Sequence, residues 1–129
     1  KNNINIKVES NIKDEIKINE DSLEHIILNI LSNSVDAMEN GGDLFIITNI
    51  DNNNLVIVCQ DTGSGIDENI INNIFNPFFT TKELGKGTGL GLFIVYSEVE
   101  KLNGKIDVKS KINEGTVFTI TIPLERKSG

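Results

Sequence analysis

Cysteine, positive charge and long apolar runs are what this sequence is short of. Its single cysteine, Cys59, allows no internal disulfide, which fits a reducing compartment. Cys59 sits in the apolar run LVIVCQ with no base or cation beside it, and reads as a buried, inert thiol. The single histidine, His25, has no second histidine near it in sequence and cannot make a zinc site; a solvated or packing role is expected. Twelve basic residues against nineteen acidic ones give a net charge of −7. That argues against a nucleic-acid or anionic-membrane surface, since both need clustered Lys and Arg. A phosphate site stays open, because it needs only local donors and a cation. No apolar run approaches the length of a membrane-spanning helix, and no signal peptide is visible.

What is present suffices for one domain with a genuine core: 129 residues, 38% hydrophobic and 24% charged. The reading is a single domain over 1–129, excised from something longer. INIKV and EIKIN alternate apolar and polar residues and predict two short strands joined around Ser10 to Asp14. A helix capped by Asp21 or Ser22 is expected to run to about Asn40, where Gly41 and Gly42 end it. DLFIITNI and NLVIVCQ predict a hairpin around DNNN. A short amphipathic segment, DENIINNIF, precedes a glycine- and threonine-rich stretch. LGLFIVYSEVEKLNG predicts a second helix closed by Gly104, and KIDVKS with TVFTITIPL a last hairpin. The expected class is α+β: a two-layer sandwich whose mixed, mostly antiparallel sheet is covered on one face by helices.

Three local patterns carry chemistry. On the first helix Asn29, Asn33, Asp36 and Asn40 share one polar edge beside the apolar arc. They form either a solvated helix edge or neutral oxygen ligands for a hard cation such as Mg²⁺. DTGSGI, residues 61–66, puts a carboxylate at a strand end, followed by Gly63 and Gly65; it reads as a simple turn or as the lip of a ligand cleft. In GKGTGLGL, Gly85, Gly87, Gly89 and Gly91 recur at every second position into the helix start. The spacing is neither the dinucleotide fingerprint nor a P-loop. It offers main-chain N–H groups at a helix N-terminus, with Thr88, Lys82 and Lys86 adding donors and charge, which suits a polyphosphate.

NILSN, DTGSGI, IFNPFF and GKGTGLGL stand in one order, and together they closely resemble the catalytic ATP-binding domain of two-component sensor histidine kinases. Those kinases share a superfamily with gyrase, the heat-shock chaperone ATPase and the mismatch-repair ATPase. The resemblance covers about residues 21–123, and NPFFTTKELGKGTGLGL looks like the nitrogen-regulator branch. It implies the Bergerat ATP-binding fold, ATP and Mg²⁺ as cofactors, and a histidine kinase activity. By the same resemblance Asn33 is the Mg²⁺ ligand, Asn29 assists at metal or phosphates, and Asp61 accepts a hydrogen bond from the adenine amino group. Gly63, Gly65 and Ile66 line the base pocket, and Phe75 and Phe78 anchor a lid over 76–88. Lys82, Gly85, Lys86, Gly87, Thr88, Gly89, Leu90 and Gly91 handle the phosphates. Asn29, Asn33 and Lys82 are thus the implied catalytic set.

The implied partners are ATP, a helical dimerisation and phosphoacceptor domain of the same kinase, and a response regulator reached through the full-length protein. No nucleic acid and no direct membrane contact are expected. The location implied is cytoplasmic, with the parent protein either free or membrane-anchored. Gyrase-like ATPases carry a glutamate base where Asn29 stands, and an amide cannot deprotonate water, so transfer to a partner is favoured over hydrolysis. Many histidine kinases have a basic residue in place of Asp36, which here leaves one fewer phosphate contact. His25 is followed by Ile26 and Ile27 rather than an acidic residue, so it does not match the phosphoacceptor. The alternatives are a gyrase-type ATPase and a non-catalytic nucleotide-binding module.

Overall fold

The computed structural model describes residues 3–12, 15–76 and 91–124. In chain order these form β1 (Ile4–Ser10), α1 (Glu20–Ala37), β2 (Gly42–Asp51), β3 (Asn54–Asp61), a single 3-10 turn at Ile71–Asn73, α2 (Gly91–Lys101), β4 (Lys105–Lys111) and β5 (Gly115–Pro123). The sheet order is β1-β2-β3-β5-β4, with β1 parallel to β2 and every other pair antiparallel. The expected class is therefore the observed one: a five-stranded mixed sheet with two helices against one face.

Alternation along the strands decides which face is covered. Leu44 and Ile46 of β2, Leu55, Ile57 and Cys59 of β3, and Phe118, Ile120 and Ile122 of β5 point one way and are buried. Ile26 and Ile30 of α1 and Val95 and Val99 of α2 close over them. Each such side chain contributes roughly 1.5–3 kcal/mol on leaving water. The intervening residues Phe45, Ile47, Val56 and Val58 stay half-exposed on the bare face.

Four local expectations need correction. EIKIN is not a second strand: residues 15–19 carry no strand, and Ile16 and Ile18 instead pack against the core edge as the chain climbs to α1. β1 thus finds its partner across the helix, in β2, giving a parallel crossover rather than a hairpin. The N-cap is Asn19, whose Oδ1 accepts the Ser22 N–H at 3.0 Å, not Asp21 or Ser22; a cap of this kind contributes about 1 kcal/mol. α1 stops at Ala37, so Asn40 leaves the polar edge assigned to it.

The fourth concerns α2. Asn103, not Gly104, takes the left-handed position (φ 60), its N–H reaching the Glu100 carbonyl while the Gly104 N–H reaches that of Val99. Gly104 is required for room instead: a Cβ there would come within 2.6 Å of the Thr121 carbonyl. The predicted β2–β3 hairpin forms, turning through Asn52 and Asn53, both at positive φ as a two-residue turn demands.

Candidate functional site

α1 and α2 lie against each other, and the polar edge of α1 faces α2. Asn29 donates its Nδ2–H to the His25 carbonyl at 2.7 Å, one turn back. That bond fixes the carboxamide, leaving Oδ1 aimed at the first residue of α2. Among the described residues, a Cβ built on Gly91 would meet that oxygen at 3.6 Å, an ordinary contact. An amide oxygen of α1 therefore stands beside the N-terminal residue of α2. Asn33, one turn further along α1, is half-buried and has no hydrogen-bond partner among the described residues. Asp36 is exposed on the same edge. No cluster of three or more His, Cys, Asp or Glu exists among the described residues, so a cation here would depend on carboxamide oxygens and on its ligand. Neutral carboxamide oxygens on one helix edge fit Mg²⁺, which takes oxygen donors and keeps waters.

The second half of the site is the turn after β3. Asp61 is 3% exposed and pairs in register with Leu44 and Thr116. Its Oδ1 accepts the Gly63 N–H at 2.9 Å. Three elements staple the turn. The Ser64 N–H reaches the Ala37 carbonyl at the end of α1 (3.0 Å), and the Thr62 N–H that of Asp43 on β2 (3.1 Å). The Asn113 N–H, from the β4–β5 turn, reaches the Ser64 carbonyl at 2.7 Å, and the Ile66 N–H reaches Ser110 Oγ at 2.7 Å.

The glycines of this turn have packing reasons of their own. A side chain at Gly63 would come within 2.7 Å of the Ala37 carbonyl, and one at Gly65 (φ 78) would run into the Lys111 carbonyl. Ala37 stands one turn after Asn33, so α1 touches both halves of the site.

Ile66 and Phe75 are half-buried and pack on the core; the Phe75 ring lies 6.5 Å from that of Phe118 and 5.7 Å from that of Tyr96. Phe78, Lys82, Gly85, Lys86, Gly87, Thr88, Gly89 and Leu90 lie outside the described residues. Cys59 is 3% exposed, and burial, reinforced by the Asp61 charge, pushes its thiol up to about 12, so the inert thiol expected is the one observed.

Besides Ser110, which accepts the Ile66 N–H, two more residues went unnoticed in the sequence. Thr116 is buried opposite Asp61, a position that only strand register reveals. Glu98 of α2 is buried, its side chain 10% exposed, and bridges Lys101 Nζ at 2.9 Å and His25 Nδ1 at 3.4 Å. The lone histidine thus has a contact across the two helices. The Lys101 ammonium, and after it the His25 hydrogen bond, hold Glu98 below the ordinary carboxylate range against its partial desolvation. A lowered carboxylate stabilises the fold above its unfolded value, near 4.5, and loses that contribution as pH falls through the lower folded value. Glu98→Gln should therefore melt below the wild type at pH 7, with the gap narrowing as the pH is lowered below 4.5. Exposed Lys101 keeps the effect near the ~0.2–1 kcal/mol of surface pairs. A gap that widens in acid would refute this assignment.

The family model for histidine kinase-, DNA gyrase B- and HSP90-like ATPases matches residues 18–126. Sporulation kinase A of Bacillus subtilis (strain 168) is 41% identical over 113 residues, covering 86% of this chain and 18% of that protein. Sensor kinase CckA of Brucella abortus (strain 2308) is 37% identical, covering 84% and 13%. Among solved structures, the catalytic domain of histidine kinase ThkA superposes with a TM-score of 0.79 at 30% identity, over 93% of this chain and 78% of that one. Full-length ShkA, crystallised with AMPPNP, gives 0.83 at 26% identity, over 98% and 27%. The chain belongs to the histidine kinase-, DNA gyrase B- and HSP90-like ATPase family, and the curated relatives named are a sporulation kinase and a sensor kinase. It spans 13–29% of the length of the five curated relatives it matches first. No helix among the described residues is long and apolar enough to cross a membrane.

Proposed function

We propose that the domain binds Mg-ATP and presents its γ-phosphoryl group to a histidine on a separate helical phosphoacceptor domain, within two-component signalling that ends on a response regulator. The observation that carries the reading is the Asn29 oxygen set against Gly91 at the start of α2, its amide nitrogen already engaged by the His25 carbonyl. Family membership and the AMPPNP held by ShkA support a nucleotide as the occupant. Asn33 and Asn29 would hold Mg²⁺, which when bound neutralises phosphate charge and fixes phosphate geometry. Asp61 would read the base as a hydrogen-bond acceptor, at the far end of α1. Lys82 and the glycines up to Gly91 would bind the phosphates through charge and main-chain N–H groups. The chain's own contribution is then positioning and charge, which is most of what phosphoryl transfer needs. The domain would be one unit of a longer kinase.

The test is calorimetry with ATP in the presence and absence of Mg²⁺. Asn33→Ala should lower affinity about tenfold with Mg²⁺ and change it little without, the loss of roughly one ligand interaction. Equal effects in both conditions would remove Asn33 as a ligand. Incubated alone with γ-labelled ATP, the chain should stay unlabelled. The gyrase-type reading keeps one discriminating observation: Asn29 supplies no general base, so steady-state ATP turnover should be slow.

A further inference from the structure

A row of three polar side chains crosses the sheet at the base end of the site: Asp61 on β3, Thr116 on β5 and Ser110 on β4, adjacent in register and on the helix-covered face. Resting on the reading of Asp61 as the residue that meets the base, the hydrogens in this row can be assigned by elimination. Ser110 Oγ accepts the Ile66 N–H at 2.7 Å and donates to the Gly115 carbonyl at 2.9 Å. It also lies 2.8 Å from Thr116 Oγ1. A serine hydroxyl owns one hydrogen, and the Gly115 carbonyl can only accept. The hydrogen between the two hydroxyls must therefore belong to Thr116.

The consequence falls on the other side of Thr116. Its proton is turned toward Ser110, so the hydroxyl offers Asp61 and the space beside it lone pairs alone. An ionised Asp61 is also acceptor-only. Two neighbouring acceptors, 3% and 4% exposed, with no side-chain donor beside them among the described residues, fit a group carrying two N–H bonds and disfavour a carbonyl. We propose that Ser110 is a specificity-determining residue: by holding the Thr116 hydrogen it makes the base end select a 6-amino purine over a 6-oxo purine. Ser110 does not touch the base itself; it acts through Thr116.

The experiment compares Mg-ATP with Mg-ITP by calorimetry on the wild type, Ser110→Ala, Thr116→Val and the double variant. Wild type should prefer ATP strongly. In Ser110→Ala the Thr116 hydroxyl is free to turn and donate, so ITP should bind about fivefold more tightly and ATP about twofold more weakly, narrowing the ratio about tenfold. Thr116→Val, which keeps the side-chain shape, should also narrow the ratio, and adding Ser110→Ala to it should change the ratio no further. If Ser110→Ala weakens both nucleotides in parallel, Ser110 merely braces the turn through Ile66 and the proposal fails. Should Ser110→Ala not fold by thermal melting, an unchanged ratio in Thr116→Val overturns the proposal on its own. A wild type that binds neither nucleotide removes the proposed function and this inference with it, whereas an unchanged ratio removes only the role of Ser110.

Discussion

Gly65→Val should lower stability by about 3 kcal/mol and abolish nucleotide binding in the same stroke. Gly65 sits at φ 78, a conformation a β-branched residue enters only at a cost of order 1–3 kcal/mol. The new side chain would also collide with the Lys111 carbonyl and the Ile112 Cα, and overpacking adds roughly 1–3 kcal/mol. The β4–β5 turn cannot simply retreat, because the Asn113 N–H is bonded to the Ser64 carbonyl one residue away. Urea unfolding at constant m-value is the measurement. A loss under about 1 kcal/mol would mean that the turn and hairpin are not locked together as described.

Asp61→Asn should give the opposite signature: ATP affinity falling by about 30-fold, with the unfolding midpoint nearly unchanged. Binding suffers because a hydrogen bond from the base to a carboxylate contributes about 2 kcal/mol, and an amide offers a weaker acceptor and a competing donor. Stability survives because the asparagine Oδ1 can still accept the Gly63 N–H that Asp61 accepts at 2.9 Å. Calorimetry and urea unfolding on one preparation separate the two quantities. Loss of fold without specific loss of binding would return Asp61 to a purely structural role in its turn. Gly65→Val and Asp61→Asn thus divide the turn into a residue that shapes it and a residue that uses it.

The contrast explains what was legible in the sequence. Periodicity found both helices, both hairpins and the covered face, since burying an apolar stripe is what the chain's own alternation dictates. The motifs proposed to bind nucleotide stood out because their glycines and asparagines are poor choices for strands and helices on local grounds. EIKIN misled because Ile16 and Ile18 alternate for packing, without any strand to pair with. The α1 boundary slipped at both ends because Asn19, Asp21 and Ser22 all suit a cap, and only geometry chooses among them. Asn103 and Gly104 exchanged roles for a similar reason: either tolerates the left-handed region, and the crowding at Thr121 decides. Thr116, Ser110 and Glu98 were invisible because their significance lies in neighbours 55, 44 and 73 positions away in the chain, which no local pattern encodes.

α1 also acts as a ruler. Asn29 meets the start of α2, and Ala37 lies under Gly63, so eight residues separate the two ends of the proposed site. At 1.5 Å per residue that is about 12 Å, a length held by main-chain helix geometry rather than by any side chain. On the proposed reading, a molecule that grips only one end, such as a free base or a bare pyrophosphate, would forfeit the contacts of the other, and recognition would measure length as much as chemistry.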